Sequence, residues 1–402
     1  MQFAQLKKTI QNRLPPVQLE TLVILLTGSL LALAVRFVLR GFVSGDAVVA
    51  LVPWYERVKA EGLASLSYGF SNYTPLYLYT DFLISKIFPH LSSVTSIKIP
   101  SVVSDFIGAY FAYKIVRERL GSSFAASLAY SALLFAPTVI LNGALWGQID
   151  MMFTCFLLGG FYYFQKNKPI PACLCVGLAF AVKFQTVFLA PFLLILLLKR
   201  RVSIPQLLLI PAVYLVTILP SWLLGRNLLN MLMIYFSQTG QIVSPATRTL
   251  TAHYPNLYAW LPDSSFDYFL PGGLLWSAGL VFLYILFGYK SRRELNPDLM
   301  IELALVSVVL LPFILPTMHE RYGFPADVFS ILYGFFFPRR VYIPLAINLL
   351  SFFSYYPFLF RSELFPQKVL AIFTLAVVCL LVYFLVKRLF GVELEPSQPV
   401  QV

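Results

Sequence analysis

Apolar residues run in long unbroken stretches, with little of the polar striping that marks a helix on a water-facing surface. Leu19–Leu39, Ile97–Ile115, Gly121–Ile140, Leu207–Leu224, Leu274–Tyr289, Leu299–Leu315 and Val369–Val386 each reach or approach the ~20 residues needed to cross a bilayer. With the shorter apolar segments between them they predict an all-α polytopic membrane protein of about 12 transmembrane helices, range 11–13. The predicted spans are 19–39, 96–115, 121–140, 149–164, 170–182, 186–198, 204–222, 273–289, 299–315, 321–337, 341–358 and 369–386. Two of these, 170–182 and 186–198, are short, and Lys183-Phe184-Gln185 breaks the chain between them. Residues 1–390 read as one transmembrane domain with external loops at 40–95 and 225–272, and residues 391–402 as a loose cytoplasmic tail.

Composition sharpens this. The chain is 59% hydrophobic and 12% charged, about half the charge of a typical soluble domain. Its net charge of +12 sits mostly in short loops between apolar runs, as it does in the cytoplasmic loops of membrane proteins. No basic stripe interleaves with aromatics, so no nucleic-acid partner is expected. Cys155, Cys173, Cys175 and Cys379 lie in apolar segments, without zinc or redox spacing. Lys7, Lys8 and Arg13 precede an apolar run too long for a signal-peptide core, which predicts an uncleaved first helix and a cytoplasmic N-terminus.

The basic clusters also decide an ambiguous segment. If the short run Pro75–Pro89, with Asp81 inside it, crossed the membrane, every later cluster would face outward. If it stays in the first external loop, clusters at 114–119, 166–168, 199–201, 290–293, 339–340 and 387–388 all face the cytoplasm, as does the C-terminus. Interfacial helices are therefore expected in that loop.

This topology brings four polar groups to the outer face: Gly45-Asp46, Asn142 with Trp146-Gly147-Gln148-Ile149-Asp150, Lys183-Phe184-Gln185, and His319-Glu320-Arg321-Tyr322. Asp46 and Asp150 equally suit helix caps, and Lys183 an interfacial anchor. His319-Glu320-Arg321 is harder to explain structurally, because three ionisable residues between apolar spans need partners or a ligand. Glu320 and Asp327, seven residues apart, are expected on one face of the following helix; Asp105 and Asp327, both mid-span, lean towards structural roles. One outward carboxylate near Arg, Lys and His, with no nucleotide-binding glycine loop, suits group transfer from a lipid-linked phosphate. The leaving phosphate needs cationic stabilisation and the acceptor hydroxyl a base.

The chain resembles the multi-spanning, lipid-phosphate-sugar-dependent glycosyltransferases of the GT-C fold. Within them it is most similar to bacterial relatives of the second mannosyltransferase of glycosylphosphatidylinositol-anchor synthesis. The likeness rests on Ser44-Gly45-Asp46, Pro53-Trp54, Gly62, Asn72-Tyr73-Thr74-Pro75, Asn142-Gly143, Trp146-Gly147-Gln148-Ile149-Asp150, Lys183-Phe184-Gln185, Met318-His319-Glu320-Arg321-Tyr322 and Pro325. It implies a polyprenyl-phosphate sugar donor, membrane lipids around the protein, and inversion at the anomeric carbon with Asp46 as base. It further implies Arg321, Lys183 and His319 on the donor phosphate, Glu320 orienting Arg321 or His319, and Asp150, Gln148, Tyr322, Trp54 and Trp260 on sugar or acceptor. Some relatives use a divalent metal, magnesium or manganese, which here would fall to Asp46 and Asp150. The expected setting is a bacterial inner membrane with the site facing outward. Lipid, glycan and protein acceptors remain open, as do a non-catalytic subunit of a glycan assembly and a lipid or sugar transporter.

Overall fold

A computed structural model describes residues 19–242 and 248–391. The basic N-terminal residues and the tail fall outside them.

The described chain is helical apart from one two-residue strand pair, as expected where no water is available to satisfy backbone groups. Among the described residues seven helices are long and apolar enough to cross a membrane: Leu19–Leu39, Ser93–Leu120, Ile204–Leu223, Asp263–Lys290, Pro297–Ile314, Pro338–Phe360 and Gln367–Phe390. The bent pair Ser123–Leu134 and Pro137–Trp146, which turns by 46°, makes an eighth if counted as one span. This corrects the expected twelve. Asp150–Gln165, Pro169–Val182 and Phe324–Phe336 have 16, 14 and 13 residues, about 20–24 Å of helix against ~30 Å of hydrocarbon. Apolar runs in a sequence do not show where a rod stops; Asp150–Gln165 and Phe324–Phe336 are mostly buried in protein, whereas Pro169–Val182 is buried on one side only.

Burial sorts the rods. Leu19–Leu39, Ile204–Leu223 and Asp263–Lys290 are only 17% buried over their most apolar windows, whereas Pro297–Ile314 is 89% buried. The first three present leucine, valine and phenylalanine to lipid; the last runs through the core with Asp150–Gln165 and Phe324–Phe336. Buried charges lock the rods together. Arg36 Nε donates to Asp105 Oδ2 at 2.8 Å, and its other nitrogens reach the Ala32 and Leu134 carbonyls, an ion pair that ties the first helix to the Ser93–Leu120 span. At the end of the bundle away from Asp46, buried Glu302 accepts from Arg340 at 2.7 Å and from Arg388.

The Pro75–Ile87 helix lies on the Val52–Glu61 helix. Thr74 Oγ1 donates to the Ala181 carbonyl at 2.6 Å, and the Tyr79 hydroxyl meets Ser221 Oγ at 3.0 Å. Both partners sit at the far ends of their helices. These ties hold the segment at the Asp46 end of the bundle instead of threading it between the rods.

Candidate functional site

Asp46 precedes the π-turn Ala47–Leu51 and is fastened from behind. Lys98 Nζ donates to the Leu39 and Phe42 carbonyls at 3.1 and 2.7 Å, satisfying groups that the end of the Leu19–Leu39 helix leaves open. Ser44 Oγ donates to the Trp146 carbonyl at 2.7 Å and accepts from the Ala47 amide. Asp46 Oδ2 then accepts from Trp146 Nε1 at 2.9 Å and from Gln148 Nε2. The other end of the Gln148 amide accepts from the Tyr73 hydroxyl at 2.9 Å, which fixes its orientation. Gly147, at φ +85°, turns the chain so that Trp146 and Gln148 both reach the same carboxylate. Asp46 is half-buried, and its Oδ1 has no donor among the described residues.

Asp150 opens the next helix and is buried. Its Oδ2 accepts from Asn142 Nδ2 at 2.7 Å, and its Oδ1 pairs with Lys183 Nζ. Lys183 ends the Pro169–Val182 helix and lies 5.7 Å from the centre of the Tyr73 ring. Burial pushes its pKa down to about 8, with Asp150 acting against the fall.

The Arg321 guanidinium stands 5.9 Å from the centre of the Trp146 ring and 6.0 Å from that of Tyr322. Its Nε and Nη1 are buried without an acceptor among the described residues. Glu320 is 3% exposed, and burial raises its pKa to about 7 although Arg321 pulls it down. His319 Nδ1 lies 3.9 Å from Glu320 Oε2. Burial, then Arg321 and Lys183, push the imidazole down to about 3; it is neutral at pH 7 and makes no ion pair there, although 39% of its side chain stays accessible. Glu320 makes no hydrogen bond to Arg321 among the described residues. It also precedes the Phe324–Phe336 helix and so does not share a helical face with Asp327, which corrects that expectation. Asp327 is buried inside the helix and accepts from Ser351 at 2.6 Å.

The loop after the Ile204–Leu223 span is tied to this segment. Thr251–Ala252 pairs in parallel with Met318–His319. The Thr317 amide donates to Leu250 O at 2.8 Å, and the Glu320 amide to Ala252 O at 3.0 Å. Thr317 and His253 hold φ +62° and +64°, a strained region for a β-branched residue.

Asp46, Gln148, Asp150, Lys183, Arg321 and Tyr322 therefore gather around Trp146 and Tyr73. Trp54 joins through its ring contact with Tyr73 at 5.3 Å, and His319 through Tyr322 at 5.2 Å. Trp260 does not join them: it sits in the turn Leu257–Trp260, which packs on the Gln367–Phe390 helix. Sequence reasoning gave no role to Tyr73, Asn142 or Lys98, although Tyr73 and Asn142 stood inside its motifs. A metal fits this donor set poorly. Asp150 is engaged at both oxygens and Asp46 at one, and among the described residues no group of three His, Cys, Asp or Glu could hold an ion.

Residues 72–224 match the family described as dolichyl-phosphate-mannose-protein mannosyltransferase, less than half of the chain. No curated protein matches. ArnT from Cupriavidus metallidurans bound to undecaprenyl phosphate has a similar structure, with TM-score 0.53 and 18% identity over 90% of this chain and 70% of that one. Apo ArnT gives TM-score 0.53 and 14% identity over 91% and 77%. Identities this low speak to fold alone. The fold is GT-C. The chain is thus an all-α, multi-pass membrane protein with an ArnT-like fold, and neither match carries the narrower kinship with the second mannosyltransferase of anchor synthesis.

Proposed function

We propose that this GT-C protein is an inverting glycosyltransferase that moves a hexose from a polyprenyl-phosphate donor to an acceptor hydroxyl at the outer face of a bacterial inner membrane. The observation that carries the reading is a carboxylate held at one oxygen by Trp146 and Gln148, beside a guanidinium with two buried N–H groups that lack acceptors. Asp46 Oδ1 is placed to take the proton of the acceptor hydroxyl. The acceptor oxygen then bonds to the anomeric carbon as the bond to the phosphate oxygen breaks, with the sugar inverted by a single displacement. The phosphate leaves as an anion, and Arg321 meets the charge that develops on it. His319, neutral, donates one hydrogen bond. Lys183 is spoken for by Asp150 in this state, so its part is to hold that carboxylate and to lend positive potential. Gln148, Tyr322, Trp54, Glu320 and Asp150 line the space for the sugar. No step runs through a metal. Mannose is the sugar favoured by the sequence resemblance and named in the family matched by residues 72–224; ArnT, which has been seen bound to undecaprenyl phosphate, supports the lipid carrier.

The test is transfer of radiolabelled sugar from a panel of polyprenyl-phosphate sugars by the purified protein in lipid, beside Asp46→Asn. Donor-dependent transfer that collapses in the variant supports the reading and names the sugar. Equal transfer by both proteins removes Asp46 from the mechanism.

A further inference from the structure

A second guanidinium, away from the Asp46 group, has two buried nitrogens without an acceptor among the described residues. The helix Leu209–Leu223 ends where Gly225 adopts φ +109°, and the chain doubles back so that the Arg226 amide donates to Ser221 O at 3.0 Å. This turn tucks the Arg226 side chain inward, leaving it 4% exposed. Its Nε and Nη1 are buried with no acceptor. The ionisable groups in electrostatic reach are the hydroxyls of Tyr79 and Tyr214; among the described residues no carboxylate faces it. Tyr214 has already committed its proton to the Met231 carbonyl at 2.6 Å, and Tyr79 is engaged by Ser221. A charge so placed and unpaired is costly, and an anion is the natural compensation.

Two features say what kind of anion. Gly69, exposed, presents backbone against the guanidinium, and a Cβ built there would come within 3.5 Å of Nη2. The site therefore opens to the surface along the loop 68–72. On either side of Arg226 in the chain, Trp222, Leu223, Leu228, Leu229 and Met233 are exposed, an apolar surround suited to a hydrocarbon tail and not to a free ion in water. We infer that Arg226 is the head of a binding site for the phosphate of a membrane lipid whose tail lies along this apolar flank. The site stands apart from the Asp46 centre, and only the loop between Gly69 and Tyr73 separates them, a span of at most about 14 Å. An occupied site would brace that loop and with it the Tyr73 hydroxyl that orients Gln148.

The experiment uses the purified full chain in phosphate-free maltoside detergent, with lipid retention read by native mass spectrometry and the thermal midpoint read in parallel. Phosphatidylglycerol, inorganic phosphate and diacylglycerol are the three probes. Phosphatidylglycerol is expected to bind the wild type and raise its midpoint, while inorganic phosphate and diacylglycerol do neither. Arg226→Met should lose about tenfold or more in phosphatidylglycerol affinity, the worth of a charge-assisted hydrogen-bonded pair, and Arg226→Lys should lose less. Without lipid, Arg226→Met should unfold at or above the wild-type midpoint, because it removes an uncompensated buried charge; this separates lost binding from lost folding. Equal phosphatidylglycerol binding by wild type and Arg226→Met would overturn the proposal. So would inorganic phosphate matching the lipid in its effect on the midpoint.

Discussion

Replacing Glu320 by glutamine removes the proton equilibrium that burial imposes on it, and the size of the effect follows from the fold. The carboxyl is 3% exposed and its pKa is raised to about 7, against an ordinary 4.5. A gap of about 2.5, at about 1.4 kcal/mol for each unit of pH, is worth about 3 kcal/mol. Because the folded value lies above the unfolded one, the folded protein binds the extra proton. The contribution is fully present below pH 4.5 and is lost as the pH rises to 7 and beyond. Reversible denaturant unfolding in micelles, at pH 4.5, 6 and 8, measures it. Wild type should lose about 3 kcal/mol relative to Glu320→Gln between the lowest and highest pH, most of it before pH 7.5. Parallel pH profiles for the two proteins would refute the reasoning and would mean that Arg321 offsets the burial completely.

Other substitutions test neighbouring contacts. Lys183→Met leaves the buried Asp150 carboxylate with Asn142 as its hydrogen-bond donor and the more distant charge of Arg321; it should cost about 3–5 kcal/mol, and adding Asp150→Asn should restore part of the loss in a double-mutant cycle of unfolding. Trp146→Phe deletes the donor to Asp46 but keeps a ring to stack on Phe358, 4.6 Å away. Sugar transfer should fall by about 10–100-fold, from about 1.5–3 kcal/mol for a hydrogen bond to a charged group, with the thermal midpoint changed far less than the rate. Thr317→Gly relieves a positive φ; it should raise the thermal midpoint, with about 1–3 kcal/mol of strain at stake, while lowering the transfer rate.

Much of the site was legible because its chemistry is local in sequence. Trp146, Gln148 and Asp150 sit within five residues, and a single turn at Gly147 delivers the first two to Asp46. The run His319-Glu320-Arg321 announced itself by its charge between apolar spans. What stayed hidden was long-range pairing. Nothing in the sequence matches Arg36 to Asp105 across 69 residues, or Lys98 to the carbonyls that end the first helix, or Lys183 to Asp150 in place of a ligand. Helix lengths were hidden for a related reason: hydropathy measures how apolar a segment is, not whether lipid or protein covers it, so the mostly buried rods Asp150–Gln165 and Phe324–Phe336 passed for spans. Arg226 escaped notice as one basic residue in a loop; only its burial makes it unusual.

The strand pair between Thr251–Ala252 and Met318–His319 makes two distant segments a single mechanical body. One belongs to the long loop after the Ile204–Leu223 span, and the other leads directly into Arg321. As long as the hydrogen bonds between them hold, a ligand that shifts the loop also moves the arginine's segment, and the reverse. Thermodynamic reciprocity then requires each ligand to change the affinity for the other by the same factor. Two substrates meeting here would not bind as strangers: the hydrogen bonds from Thr317 to Leu250 and from Glu320 to Ala252 would carry news of one arrival to the other's berth.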